Sequence, residues 1–331
     1  MRRLHVLAYV SLCLIWGSTW LAVHTVVQYV PPFLAAALRF LAAAALMFLW
    51  LAFRKTVWPR EARQWNAILV LGFTVIGIPY ALQFWAQQYV TSSLSAVLFS
   101  ALPLTVALLT PLMMHYTVPR RAVLSMLVGL GGLLLLLHTE LKFGSRAFWG
   151  GLAVLASMFG SAWSAVYAKV RLRDVDHFVS TAFQMLIGAV GLFWATWALE
   201  SHRQASWTRS AVLALLFLAI FGSAIAFALY YWLLKQIQPY QVSTMNLVIP
   251  IVAVLEGSLL GHEPIPLTMI FAMAVVLGSV GVVLRAEVDI KPVELVPKVA
   301  SAPYNRDVKA HLSQAFSSDD PITRRPDDPI A

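Results

Sequence analysis

Apolar runs of about 20 residues recur along the whole chain, separated by short connections rich in Pro or charge. A run of that length, wound as a helix, matches a hydrocarbon core about 30 Å thick. The pattern predicts ten spans, at about 5–27, 33–53, 65–88, 92–115, 121–138, 148–169, 178–199, 209–234, 239–260 and 266–285. Barrel strands would instead appear as roughly ten-residue segments alternating apolar and polar positions. The expected fold is therefore all-α: a polytopic membrane helix bundle of ten transmembrane helices. The first run begins directly after Met1-Arg2-Arg3 and continues to about Val27, which fits a retained helix better than a cleaved leader.

The pattern also repeats. Residues 80–119 align without a gap on residues 227–266, a shift of 147 positions. Trp85 then falls on Trp232, Pro103 on Pro250, His115 on His262 and Pro119 on Pro266. Trp, Pro and His are too uncommon in apolar helices for this to follow from hydrophobicity alone, so the chain reads as a duplication. A shift of five spans is odd, and the second copy would then lie upside down relative to the first. Such repeats place a substrate path between them near the midplane.

Composition narrows the class. Hydrophobic residues make up 60% and charged residues 12% of the 331 residues, against about 25% charged in a typical soluble domain. The net charge of +9 needs no nucleic acid to explain it, because Lys and Arg concentrate in cytoplasmic loops. With both termini inside, the inner segments hold three times as many Lys and Arg as the outer ones. That bias predicts a multi-pass protein of the inner membrane with both termini cytoplasmic. Residues 286–331 lose the apolar pattern and are expected to form a disordered cytoplasmic tail. Cys13 is the single cysteine, so no internal disulfide or thiol metal cluster is expected.

Trp16-Gly17-Ser18-Thr19-Trp20 in the first span, Pro31-Pro32 and Leu38-Arg39-Phe40 in the second, Leu102-Pro103-Leu104, and Leu259-Leu260-Gly261-His262-Glu263 together resemble the EamA-type branch of the drug/metabolite transporter superfamily. The resemblance implies two inverted five-helix repeats, here 1–143 and 144–285, with 286–331 as the tail. Two positions depart from the pattern. His115-Tyr116 replaces a Gly-Glu pair, and Gln184 stands where the second copy would match Arg39.

Ionisable groups at membrane depth are costly and mark candidate sites. Arg39 is a candidate anchor for a carboxylate, with snorkelling to the interface or pairing with helix-end carbonyls as the structural alternative. Glu256 is a candidate for proton coupling, with a protonated or solvated carboxyl as its alternative; an Arg39–Glu256 pair is compatible with their depths. Pro103 and Pro250 each remove one helical hydrogen bond, so they are candidate hinges or static kinks. For the substrate path, Trp16, Arg39, Tyr80, Gln83, Phe84, Phe99, Trp163, Tyr230 and Asn246 are the candidate lining. Gln87 lies one turn from Gln83. Ser157, Ser161 and Ala165 recur every four residues and read as a helix-contact face.

No GxxxxGK[ST] phosphate loop occurs, so ATP coupling within the chain is not expected, nor any nucleotide, cofactor or metal. His262-Glu263 lacks the second His of a zinc protease, and every Asp falls in a connection or the tail, which argues against an intramembrane enzyme. The expectation is a secondary transporter exporting small organic metabolites such as amino acids by alternating access, driven by a gradient or by protons. An importer of nucleoside- or sugar-like metabolites and a non-transporting subunit of a larger complex stay open, as do a monomer and a homodimer. Partners are then a small-molecule substrate and the lipid bilayer.

Overall fold

The computed structural model describes residues 3–114, 118–137, 145–261 and 267–286. The expected tail, and the matched His115 and His262, fall outside the described residues. All regular elements among the described residues are helical. In order they are α1 (Arg3–Val27), α2 (Pro32–Ala52), α3 (Ala62–Leu71), a π-helical turn (Gly72–Gly77), α4 (Ile78–Ala86), α5 (Ser92–Phe99), α6 (Leu102–Met114), α7 (Arg120–Leu137) and α8 (Ser145–Arg171). There follow α9 (His177–Glu200), α10 (Arg209–Ala219), a second π-helical turn (Ile220–Ile225), α11 (Ala226–Gln236), α12 (Pro239–Ser243), α13 (Met245–Gly261) and α14 (Leu267–Arg285).

Among the described residues, six helical columns are long and apolar enough to cross a membrane: Arg3–Val27, Pro32–Ala52, Ala62–Ala86, Arg146–Arg171, His177–Glu200 and Arg209–Gln236. The remaining expected spans correspond to α5–α6, α7, α12–α13 and α14. Two of these columns are interrupted, at Ser100-Ala101 and at Thr244. The outward faces of the helices are apolar: Leu7, Leu14, Leu49, Leu108, Leu112, Leu213 and Leu216 are all exposed. Exposed Trp149, Trp197 and Trp207 lie at one set of helix ends and Trp50 and Trp58 at the other, as expected of aromatic belts at two interfaces.

Close approach is built from small side chains. α2 packs on α9, and Ala35, Ala36, Ala43 and Ala44 of α2 and Ala182 and Ala189 of α9 are all buried. Without a hydrophobic drive between helices in lipid, such contact area is what holds them together. α9 is as close to the first π-turn: a Cβ at Gly188 would lie 2.4 Å from Ile76 Cγ2 and 3.0 Å from the Gly72 carbonyl oxygen.

Packing partners recur in pairs. The first π-turn packs on α9, and the second packs on α2; α4 packs on α8, and α11 on α1; α6 packs on α8, and α13 on α1; α7 packs on α14.

Charged side chains close the helix ends. The Glu200 carboxylate at the end of α9 accepts hydrogen bonds from the backbone N–H groups of Phe33 (3.0 Å) and Leu34 (3.2 Å), at the start of α2. At the opposite polarity, Lys169 Nζ donates to the carbonyls of Leu234 and Ile237 at the end of α11. An anion at a helix N-terminus and a cation at a C-terminus both satisfy orphan backbone groups and the helix dipole. Replacing Glu200 by Ala should cost about 0.5–2 kcal/mol, the usual scale for losing a cap, seen as a lower Tm in detergent. Gly188→Ala should also lower Tm, whereas Gly131→Ala, with no atom within 4 Å of its Cβ, should leave it unchanged.

Candidate functional site

The interrupted columns surround a central cavity of about 100 Å³. Its wall takes Trp16, Thr19 and Trp20 from α1, Arg39 from α2, Tyr80 and Gln83 from α4, and Phe99 and Leu102 from the α5–α6 break. The rest comes from Ser161 and Ser164 of α8, Phe227, Tyr230 and Tyr231 of α11, and Ser243 and Asn246 beside the α12–α13 break. Gln87, just beyond α4, also reaches it.

Arg39 sets the electrostatics. It is 2% exposed, so it does not snorkel to the interface. Its Nε donates to Ser223 Oγ at 2.7 Å and its Nη2 to the Gly222 carbonyl at 3.0 Å. Both partners belong to the second π-turn. A π-turn breaks the regular ladder of backbone bonds, and here it presents a carbonyl that also accepts from Trp16 Nε1 at 3.2 Å. The alternative of pairing with helix-end carbonyls is therefore met in altered form, at a mid-column break. Aromatic faces complete the cage: the guanidinium carbon lies 4.9 Å from the Tyr80 ring centre, 5.0 Å from Phe40 and 5.9 Å from Phe84. Among the described side chains no carboxylate pairs with Arg39; the ion pairs are Arg54–Asp176 and Arg203–Glu200. A guanidinium carries five N–H donors, and the two bonds above engage only some of them.

The sequence candidates separate in space. Trp16, Arg39, Tyr80, Gln83, Phe99, Tyr230 and Asn246 all face the cavity. Phe84 is fully buried behind Tyr80, 6.5 Å away between ring centres, and acts on the cavity through the Arg39 cage. Trp163 is not among the lining residues; it stacks on Tyr167 at 4.7 Å. Glu256 lies on α13, but its side chain is outside the described residues, as is any contact with Arg39. Pro103 occupies the first turn of α6 rather than a helix middle, where a missing N–H costs little. Pro250 lies inside α13, and Pro111 inside α6.

The structure adds Thr19, Phe227 and Ser243 to the lining, and turns Ser161, expected at a helix contact, toward the cavity. The π-turns have no clear sequence signal either; their only local hint is the glycine content of Gly72, Gly77 and Gly222. Near the α12–α13 break, side chains cover the freed carbonyls: Asn246 Nδ2 donates to the Ser243 carbonyl at 3.0 Å, and Thr244 Oγ1 to that of Gln241 at 2.6 Å.

A second cavity of about 680 Å³ lies at the far ends of α8 and α11, lined by Met113, Met114, Lys169, Arg173, His177 and Lys235 among others. Tyr231 borders both cavities. Its hydroxyl donates to Gln184 Oε1, and Gln184 Nε2 donates to Ser180 Oγ, which faces the second cavity. This short polar chain links a residue that borders both spaces to one that lines the second.

Broken helices around an aromatic-lined cavity with a few polar groups, and apolar outer faces, are those of a polytopic membrane protein. Similarity to known proteins gives the particular family. The model described as the EamA-like transporter family matches twice, over residues 3–138 and 148–285. The chain belongs to the EamA-like transporter family, and is a membrane transporter rather than an enzyme. It is 27% identical to the uncharacterized transporter YoaV of Bacillus subtilis, over 80% of this chain and 91% of that one. It is 29% identical to the uncharacterized inner membrane transporter YedA of Escherichia coli, over 82% and 87%. A solved crystal structure superposes with a TM-score of 0.72 at 22% identity, covering 85% of this chain and 96% of that chain, which shows a common fold.

Gly222 is where this site is most constrained, since a Cβ there would lie 2.7 Å from Thr19 Cγ2 and 3.3 Å from Arg39 Nη2. Gly222→Ala should displace the guanidinium and lower stability by about 1–3 kcal/mol, the range for overpacking, read from Tm in detergent.

Proposed function

We propose that the chain is a secondary transporter that carries small organic carboxylates, amino acids and related metabolites among them, across the inner membrane by alternating access. The observation that carries this reading is Arg39: a buried guanidinium on the wall of the central cavity, with hydrogen-bonding capacity left over and no described carboxylate partner. A cation in such surroundings favours an anionic ligand, and Arg matches a carboxylate in two parallel bonds. The aromatic rings around it suit an apolar ligand body.

The ten-helix arrangement of two inverted repeats is part of the same proposal. The family match in two halves, the exchange of packing partners, and the π-turns at Gly72–Gly77 and Ile220–Ile225 support it. The Tyr231–Gln184 contact would then open to one side of the membrane as the other side of the cavity closes. The excess of Lys and Arg in the segments assigned inside supports cytoplasmic termini; export is the proposed direction. YedA's inner-membrane name supports the location. Glu256 is the proposed coupling carboxylate.

Proteoliposomes loaded with a panel of amino acids and other carboxylates should show saturable movement of at least one. No movement of any amino acid or other carboxylate would refute the reading. Arg39→Gln should reduce carboxylate transport about tenfold or more, on the scale of a lost charge-assisted hydrogen bond. Glu256→Gln should abolish the pH dependence of transport; unaltered pH dependence would remove Glu256 from coupling.

A further inference from the structure

Gln87 is the polar group of the cavity that the protein leaves unanswered. Its side chain is 1% exposed and faces the central cavity, yet neither Nε2 nor Oε1 has a hydrogen-bond partner. The neighbouring glutamines differ. Gln83 Nε2 donates to Ser157 Oγ at 2.8 Å, Gln88 Nε2 donates to the Trp85 carbonyl at 3.2 Å, and Gln184 bonds both Tyr231 and Ser180. The Gln87 backbone is fixed, its N–H donating to the Gln83 carbonyl at 3.0 Å, so the side chain leaves a defined point at the end of α4. A buried amide with donor and acceptor both unmet is destabilising for the empty protein. It is useful only where a ligand supplies both complements.

We infer that Gln87 reads a neutral amide on the substrate, and that the cavity selects carboxylates bearing such an amide, N-acylated amino acids being the simplest. The inference rests on the carboxylate reading of the same cavity. A primary amide is complemented by another amide, through one N–H···O=C bond in each direction. Charge argues the same way. Arg39 is the one charged side chain on the described lining, so a free ammonium would enter beside a like charge with no carboxylate to meet it. The Tyr80 face that could receive an ammonium already covers Arg39. Acylation removes that charge and supplies the donor and acceptor that Gln87 lacks. The rings of Trp16, Phe227 and Tyr230 then cover the apolar remainder.

The test uses the purified full chain and three probes: N-acetyl-L-alanine, L-alanine, and 2-methylpentanoate, which keeps the carboxylate and shape but replaces the amide with methylenes. Affinities are read from ligand-induced Tm shifts and confirmed by counterflow in proteoliposomes. N-acetyl-L-alanine should bind about tenfold or more tightly than either of the others, the scale of a buried amide pair. Gln87→Met, close to isosteric, should erase the advantage over 2-methylpentanoate, and the ligand-free Tm should hold or rise because an unmet buried amide is removed. Arg39→Gln should weaken both carboxylates alike. Equal affinity for N-acetyl-L-alanine and 2-methylpentanoate in the wild type means that water alone answers Gln87, and overturns the inference. So does a preference that survives Gln87→Met, or a marked fall in Tm on that substitution, which would make the amide structural. If the carboxylates bind through Arg39 without an amide preference, only this inference falls. If neither carboxylate binds, or binding ignores Arg39, the carboxylate reading itself fails and takes the inference with it.

Discussion

A guanidinium can be held inside a lipid-embedded bundle only if the backbone answers it, and here the Gly222 carbonyl does so. That carbonyl is available because α10 and α11 meet in a π-turn instead of continuing as one ladder. Ser223, in the same turn, supplies the second acceptor. The close approach of α1 and α2 to this point depends on Gly222 having no side chain, because Thr19 and the guanidinium occupy the space a Cβ would need. The break, the glycine and the cation form one unit, and the aromatic wall is arranged around it.

The same economy governs the rest of the bundle. Interruptions at Ser100-Ala101 and Thr244 and the two π-turns all border the cavity or the helices that frame it. Continuous helices supply the long contacts, α2 with α9 and α7 with α14, while α1, α2 and α8 also send side chains to the cavity. Irregular backbone is tolerated in a membrane where protein or a cavity, rather than lipid, receives its polar groups.

Much of this is legible in the sequence because hydrophobic length and rare residues carry it. The helical spans follow from apolar runs, and Arg39 stands out as a charge at depth. Seven of the residues expected along the path face the cavity because an aromatic or amide at mid-span has few other uses. Trp163 misleads because an aromatic on α8 can equally stack within its own helix, on Tyr167, one turn along. Glu200 gives no sign of its role because its value lies in the N-terminus of α2, 166 and 167 positions away, which no local pattern reveals. The π-turns are illegible for a related reason: a single extra residue in a helix alters no composition and only shifts the phase of the turns beyond it.

That phase shift reaches further than the site. One residue in a helix is about 100° of rotation about its axis, so the face of α11 that carries Phe227, Tyr230 and Tyr231 is set independently of the face by which α10 meets α1 and α2. A helical wheel drawn through Arg209–Gln236 as one helix assigns half of it to the wrong side. The column is two short helices with independently set faces, joined at the turn that holds Arg39. What the cavity presents to a solute can thus diverge from relative to relative while the outer scaffold keeps its grip unchanged.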